Sequence, residues 1–309
     1  MKIAVIGTGG VGGYFGGLLA RAGHDVTFVA RGAHLDAIKR DGLHITSDLS
    51  GPFTVRSPAT ADTATVGTVD LVIFAVKTYH NPEAIPTIVP MVGPDTAVLT
   101  LQNGVDSSGQ LADAIGEQHL LTGVAYIQAT IAEPGVVAQI APFGRVIFGE
   151  MKGGTSLRSQ KLLETFVEAG WPVELTEDAN AAAWRKFVAH SPNGSVDALS
   201  QTTVGEIRTT KETRELLSAV MAEHIAVAMA KGVSLGDDIL ERSLDALDAF
   251  PADGRTSIAK DVREGRPIEL EALAGAAVRM GRETRVPTPV TGAIYALLKP
   301  AALRATKSS

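Results

Sequence analysis

Residues Met1 to Arg31 constrain this chain more than any other stretch. Lys2-Ile3-Ala4-Val5-Ile6 is a short apolar run, too brief for a helix and suited to a buried parallel strand, and it leads straight into Gly7-Thr8-Gly9-Gly10-Val11-Gly12. The G-x-G-x-x-G spacing thus falls between a strand and the start of a helix. Gly7 permits the tight turn, Gly9 lets the backbone approach a pyrophosphate, and Gly12 lets the helix lie close to the strand. With Thr8, Gly10 and Val11 they form a loop and helix start whose N–H groups face phosphates. The helix is predicted to run through Leu18, Leu19 and Ala20 to a C′ glycine at Gly23, and His24 to Ala30 reads as a second strand. Where an NAD-binding chain usually places Asp or Glu for the ribose hydroxyls, this one has Arg31. A guanidinium there suits the 2′-phosphate of NADP and can stack on adenine; a merely solvated strand-end arginine is the plain alternative.

The 309 residues suffice for two domains, and a net charge of −6 argues against a nucleic-acid partner, which would favour a basic chain. An anionic substrate must then be met by local positive groups. With no cysteine there is no disulfide framework and no thiolate chemistry. The seven histidines show no pair at metal spacing beside carboxylates, so no metal site is expected. The sequence opens on its first strand without a charged-then-apolar leader, and no apolar stretch is long enough to span a bilayer. The expectation is a cytoplasmic protein without membrane partners. Only Lys307-Ser308-Ser309 reads as a polar tail.

Further along, Ala33 to Arg40 reads as a short helix, and Leu43 to Thr46 and Phe53 to Val55 as β segments. Asp70 to Val76 and Thr96 to Leu101 are continuous apolar strands, with a crossover between them broken by Pro82, Pro86 and Pro90. Leu121 to Gln128, Val136 to Ile140 and Arg145 to Phe148 are expected strands, the last two facing each other across Ala141-Pro142-Phe143-Gly144 as a hairpin. An amphipathic helix from Ser159 to Ala169 and a strand at Val173 to Leu175 follow. From Asp178, a plausible N-cap, the remainder reads helical: through Trp184, Phe187 and Val188 until Pro192 kinks or stops the helix, then Thr213 to Lys231, Asp238 to Ala249, Thr256 to Arg263, Ile268 to Met280 with Gly281 after it, and Val290 to Leu298. The fold class is α/β, an N-terminal Rossmann dinucleotide-binding domain (1–177) followed by an all-helical C-terminal domain (178–309). A cleft between two such domains is where a substrate is expected to meet the nicotinamide. The apolar helix from Leu216 to Met229 could serve as domain core or as a homodimer surface; core is favoured.

In an open parallel sheet, ligands bind beyond the carboxyl ends of the strands. Lys77 and Asn103 each close an apolar run, which leaves a solvated loop residue or a ligand contact for each, and Asn103-Gly104 also reads simply as a turn. Lys186 and His190 share one helix face away from the packed Trp184, Phe187 and Val188, where a lysine is ordinarily a surface residue. Pro267 at the first helical position would put Glu269 at N3, favourable beside the helix dipole whatever its function. No nucleophile signature such as G-x-S-x-G is present.

Taken together these residues resemble the ketopantoate reductase (2-dehydropantoate 2-reductase) family over nearly the whole chain. The resemblance rests on Gly7 to Gly13, Ala75-Val76-Lys77, Gln102-Asn103-Gly104, Trp184-Arg185-Lys186, Gly205-Glu206 and the Ser257 to Glu269 region. It implies an NADP-dependent enzyme of a Rossmann and a helical domain, acting in pantothenate biosynthesis on a small 2-oxo acid. Lys186 corresponds to the catalytic general acid and Glu269 to its acidic partner, which holds the substrate hydroxyl. Asn103 is implied beside nicotinamide and substrate, Lys77 at the cofactor and carbonyl end, Ser257 at the substrate carboxylate and Arg31 at the 2′-phosphate. Three positions depart from the pattern. His190 and Gly194 stand where substrate-facing asparagines are expected, and His80 replaces a glutamine near the cofactor. These departures keep open a D-2-hydroxyacid dehydrogenase acting on another 2-oxo acid. A non-catalytic NADP sensor is the reading from a different class, and Lys186 with Glu269 argues against it; a polyol phosphate or 3-hydroxyacid dehydrogenase is less favoured still.

Overall fold

The computed structural model describes residues 1–307, apart from the side chains of Pro142, Phe143 and Lys307; of the polar tail, Ser308 and Ser309 lie outside the described residues. The chain forms two compact units, Met1–Gln102 with Ser107–Ala182, and Asn103–Asp106 with the chain from Ala183 onward.

The first unit carries β1 (Lys2–Ile6), α1 (Gly10–Arg21), β2 (Asp25–Val29), α2 (Gly32–Asp41), β3 (Leu43–Ser47), β4 (Phe53–Val55), β5 (Ala59–Thr60), β6 (Leu71–Phe74), α3 (Asn81–Ile88), β7 (Ala97–Thr100), α4 (Ser107–Ile115), β8 (Leu120–Glu133), β9 (Val136–Glu150), α5 (Leu157–Glu168) and β10 (Val173–Leu175). The ten strands make one sheet in the order β4-β3-β9-β8-β7-β6-β1-β2-β5, with β10 beside β9. From β5 to β8 all neighbours are parallel. The chain leaves β1 for β2 and β5 on one side and returns to β6 and β7 on the other, so strand order reverses at β1, where an open sheet leaves a crevice beyond its carboxyl ends. Alternation along β1 feeds both faces. Ile3 and Val5 enter a core with Phe15, Leu18 and Phe28, while Ala4 and Ile6 enter another with Phe74, Ile88 and Leu111.

Helix α1 is packed on two sides, which its many glycines permit. A Cβ on Gly16 would stand 2.7 Å from a Val5 methyl, and one on Gly13 would stand 2.8 Å from Val137 of β9. At the first turn, a Cβ on Gly10 would collide with the Ala129 carbonyl of β8.

The expected hairpin across residues 141–144 is not there. β9 is one strand, and the side chains of Pro142 and Phe143 are outside the described set. Its ladder with β8 slips between the Ile127–Gly144 and Gln128–Ile140 pairs, beside Ala141 at a φ of 76°. The proline and glycine there accompany a bulge rather than a reversal. The reversal lies at Pro134-Gly135, where Gly135 has a φ of 83°.

Helix α6 (Ala179–Ser200), which belongs to the second unit from Ala183 onward, leads to α7 (Val204–Thr209), α8 (Lys211–Ala230), α9 (Ile239–Asp248), α10 (Ser257–Arg263), α11 (Ala274–Thr284) and α12 (Pro289–Lys307). Pro192 does not end α6, which continues to Ser200. Beside the proline, Ser191 meets Nε2 of the fully buried His224 of α8 at 3.0 Å, and the other ring nitrogen lies 2.9 Å from the Val220 carbonyl. That carbonyl can only accept, so Nδ1 carries the proton and Nε2 accepts from Ser191, a tertiary tie at the position where the local ladder loses a donor. Burial pulls the His224 pKa down to about 4 and keeps it neutral.

Two expectations near the C-terminus also change. α11 begins at Ala274, well after Pro267, and it runs through Gly281 to a left-handed Arg285 at a φ of 60°. Arg266 turns back instead, its N–H bonding the Asp261 carbonyl and its guanidinium the Asp261 carboxylate, both at 2.8 Å. Residues 266–269 therefore run outside any helix, and Glu269 is not an N3 residue. Among the described residues no helix is long and apolar enough to cross a membrane.

Candidate active site

The glycine loop is held from β2. Gly7 and Thr8 both donate their N–H to the Val29 carbonyl, at 3.3 and 3.2 Å, and the Thr8 hydroxyl donates to the same oxygen at 3.0 Å. Gly7 has a φ of 92°, and a Cβ there would stand 2.7 Å from the Val76 nitrogen, so both conformation and space demand glycine. Gly9 caps α1 without a side chain, and a Cβ there would meet nothing within 4 Å. The helical ladder opens with Gly13 donating to Gly9 at 2.7 Å, so the N–H groups of Gly10, Val11 and Gly12 precede it. Open space at Gly9 facing the positive end of a helix fits a pyrophosphate.

Arg31 is the N-cap of α2, exposed, with Nη1 3.6 Å from the equally exposed Glu83 of α3. Such an exposed pair is weak. Lys77 is exposed just past β6, and His80, also exposed, caps α3 with its ring against Tyr79. The ends of β6 and β7 are fastened to each other by Gln102, whose amide donates to the Val76 carbonyl and to Asn81, both at 2.7 Å. Asn81 is buried and donates onward to Gln110. Gln102 lies in the Gln102-Asn103-Gly104 motif, but no sequence spacing marks Asn81 as its partner.

The second unit brings together Asn103, Lys186 and Glu269, residues far apart in sequence. The Lys186 ammonium of α6 donates to Asn103 Oδ1 at 2.8 Å, and Asn103 Nδ2 reaches Glu269 Oε2 at 3.4 Å. The charges fix the amide orientation: its oxygen faces the cation and its NH2 the carboxylate. Asn103 is placed by Gly104, with a φ of 90° and room for a Cβ only 2.7 Å from the Ala272 carbonyl, and by the Asp106–Arg279 ion pair. Glu269 is buried and Lys186 half-buried, with Trp184 and Phe187 packed edge to face on the opposite side of α6. Burial lowers the Lys186 pKa to about 8, and the Glu269 charge partly opposes that shift. A lysine so tuned remains mostly protonated at neutral pH yet gives up its proton more readily than an exposed one.

His190 follows Lys186 one turn along α6, half-buried, and Gly194 follows one turn further. Gly194 is not an open gap: a Cβ there would collide with the terminal methyl of the buried Ile258. Ser257 is exposed at the first position of α10 behind its N-cap Thr256, whose N–H donates to Asp197 at 2.6 Å. Asp197 is fully buried on α6, and burial raises its pKa. Neither Asp197 nor Ile258 carries a sequence signal; both show only once α6 and α10 are packed.

A family profile described as ketopantoate reductase PanE/ApbA matches residues 3–153, and its C-terminal counterpart matches residues 178–302. The sequence is 32% identical over 321 residues to the 2-dehydropantoate 2-reductase of Mesorhizobium japonicum, covering 97% of each chain. Among solved structures, the 2-dehydropantoate 2-reductase of Methylococcus capsulatus is similar at a TM-score of 0.90 and 33% identity, covering 99% of this chain and 98% of that one. A D-mandelate dehydrogenase solved with NADH and anilino(oxo)acetate has a TM-score of 0.91 at 20% identity, with 99% of each chain covered, and shares the fold. The family match makes this a dinucleotide-dependent oxidoreductase, a class that the glycine loop at the sheet reversal fits. The chain belongs to the ketopantoate reductase family.

Proposed function

We propose that this protein reduces a small 2-oxo acid with NADPH, ketopantoate to pantoate being the first substrate to test, with residues 1–177 binding the cofactor and 178–309 the substrate. The observation that carries the reading is the Lys186–Asn103–Glu269 arrangement. The nicotinamide of a cofactor held at the glycine loop would supply the hydride to the carbonyl carbon. Lys186 donates its proton to the carbonyl oxygen, and its charge stabilises the alkoxide as it develops. Asn103 keeps the ammonium aimed, and Glu269 raises the fraction protonated. Arg31 is the residue for the 2′-phosphate, which predicts NADPH over NADH. The test follows nicotinamide absorbance with NADPH or NADH against ketopantoate and a panel of 2-oxo acids. Oxidation of NADPH with ketopantoate supports the first reading, and silence across the panel sinks the catalytic proposal.

The contact between Gly194 and Ile258 favours a second reading, a 2-oxo acid whose far end is less polar than that of ketopantoate. The polar face that begins at Lys186 and His190 meets an aliphatic methyl at Gly194. Gly194→Asn alone is expected to cost about 1–3 kcal/mol by overpacking against Ile258, without gaining ketopantoate activity. Paired with Ile258→Ala, the asparagine has room, and kcat/KM for ketopantoate relative to an apolar 2-oxo acid should rise roughly tenfold. Thermal melting and the two kcat/KM values check this. A single variant that melts with the wild type would sink the packing argument.

A further inference from the structure

His34 sits in the first turn of α2, after Arg31, and has no part in the chemistry described above. Its ring lies between two backbone groups of different elements. The Gly135 N–H donates to Nδ1 at 3.0 Å, and Nε2 stands 2.8 Å from the Thr8 carbonyl oxygen. An amide N–H can only donate and a carbonyl only accept, so the neutral imidazole carries its proton on Nε2. Burial lowers the His34 pKa, with the Thr8 bond opposing, which keeps the ring in the neutral form this bridge requires.

We infer that His34 is a positioning residue for dinucleotide binding, locking the glycine loop and the helix that carries Arg31 into one arrangement through the turn at Gly135. The argument begins with the Thr8–Gly9 peptide. A trans planar peptide points its C=O and the next N–H in opposite directions, so a Thr8 carbonyl held toward His34 turns the Gly9 N–H away from the ring. Gly9 is the loop glycine whose Cβ position is open space. The second anchor is rigid. Gly135 donates to His34, its carbonyl accepts from His44 at 2.9 Å, and a Cβ on it would stand 2.8 Å from Ala37 of α2. From that turn β8 runs back so that its Ala129 backbone closes on Gly10 at the start of α1. Thr8 is thus held on both sides, by Val29 through its N–H and hydroxyl and by His34 through its carbonyl. Without His34 the loop keeps its β2 contacts at Val29 but loses its side-chain tie to α2, leaving the angle between the loop and the helix that Arg31 caps less firmly set.

This inference rests on the NADPH reading, and the experiment separates the two. Wild-type protein is titrated with NADPH by nicotinamide fluorescence; no binding would count against the cofactor assignment itself. Given binding, His34→Ala should weaken NADPH affinity and raise its KM about tenfold while kcat at saturating NADPH stays near wild type. His34→Gln, whose amide can accept from Gly135 and donate to Thr8, should restore most of that loss. A lower melting temperature with unchanged NADPH affinity in His34→Ala would overturn the inference. If His34→Ala does not fold, the NADPH affinity of His34→Asn, which can keep the Gly135 bond but not reach Thr8, replaces it in the titration, and the wild-type protein tests the bridge itself. Nitrogen-15 NMR of the imidazole should report the Nε2-protonated neutral tautomer at pH 7.5, and an Nδ1-protonated or cationic ring overturns the proposal.

Discussion

Lys186→Ala should lower kcat for 2-oxo acid reduction by roughly 10³-fold, the combined size of losing a general acid and a cation beside the developing alkoxide. NADPH affinity should change little, because the glycine loop, Arg31 and Lys77 belong to the β1, β2 and β6 ends of the first unit. The variant is expected to fold. The side of α6 that packs is formed by Trp184, Phe187 and Val188, all nearly inaccessible, and the lysine stem is only half-buried. What remains is an Asn103 carbonyl that has lost the ammonium and a Glu269 carboxylate that has lost the Lys186 charge, a local defect. Steady-state turnover and a fluorescence titration with NADPH separate the two effects. Full turnover in the variant would remove Lys186 from the mechanism; equal losses in turnover and cofactor affinity would point to a damaged fold.

The cofactor half of the site was legible because it is written in local sequence. A short apolar strand, a glycine turn, a helix and a second strand each have their own pattern, and consecutive parallel strands leave few arrangements. Arg31, Lys77 and Asn103 stand out as candidates for the same reason, as residues that end buried strands. The helical half obeys no such rule. Lys186 is indistinguishable by spacing from any solvated helical lysine, and it acquires meaning only when Asn103 and Glu269 are brought to it. Family resemblance pointed to it where periodicity could not.

The misreadings share a cause. In sequence, proline and glycine mark a kink or stop at Pro192, a turn at 141–144 and a helix start at Pro267, and tertiary contacts set what each position does. Pro192 stays inside α6, where Ser191 is tied to His224; Ala141 to Gly144 falls within β9, while Pro134-Gly135 makes the turn. Pro267 does not open a helix because Asp261 draws Arg266 back. The last of these changes the argument about Glu269. At N3 of a helix its carboxylate would have been explained by the dipole alone, but outside any helix, buried and beside Asn103, it has no such explanation. His34, Asn81, Asp197 and Ile258 left no trace in sequence because each acts on a partner from a remote segment.

Glu269 is therefore the residue whose charge should be visible in a pH profile. Burial lowers the Lys186 pKa to about 8, and with Lys186 as the proposed general acid, reduction would need its protonated form. The rate of reduction should be level below that value and fall about tenfold per pH unit above it, while oxidation of the 2-hydroxy acid, which needs the neutral amine as base, should rise through the same range. Burial pushes the lysine down and Glu269 pushes it up. Glu269→Gln keeps an oxygen to accept the Asn103 N–H and removes only the upward push, so the alkaline limb of reduction should move to lower pH. The same variant should lose roughly 10²-fold in turnover at neutral pH, more at pH 8.5 than at pH 6.5. Profiles of kcat/KM for both proteins, taken with NADPH saturating, measure the displacement. A fall in turnover with the limb unmoved would leave Glu269 as a substrate contact only, and a limb displaced upward would reverse the electrostatic argument, because removing a carboxylate cannot stabilise an ammonium.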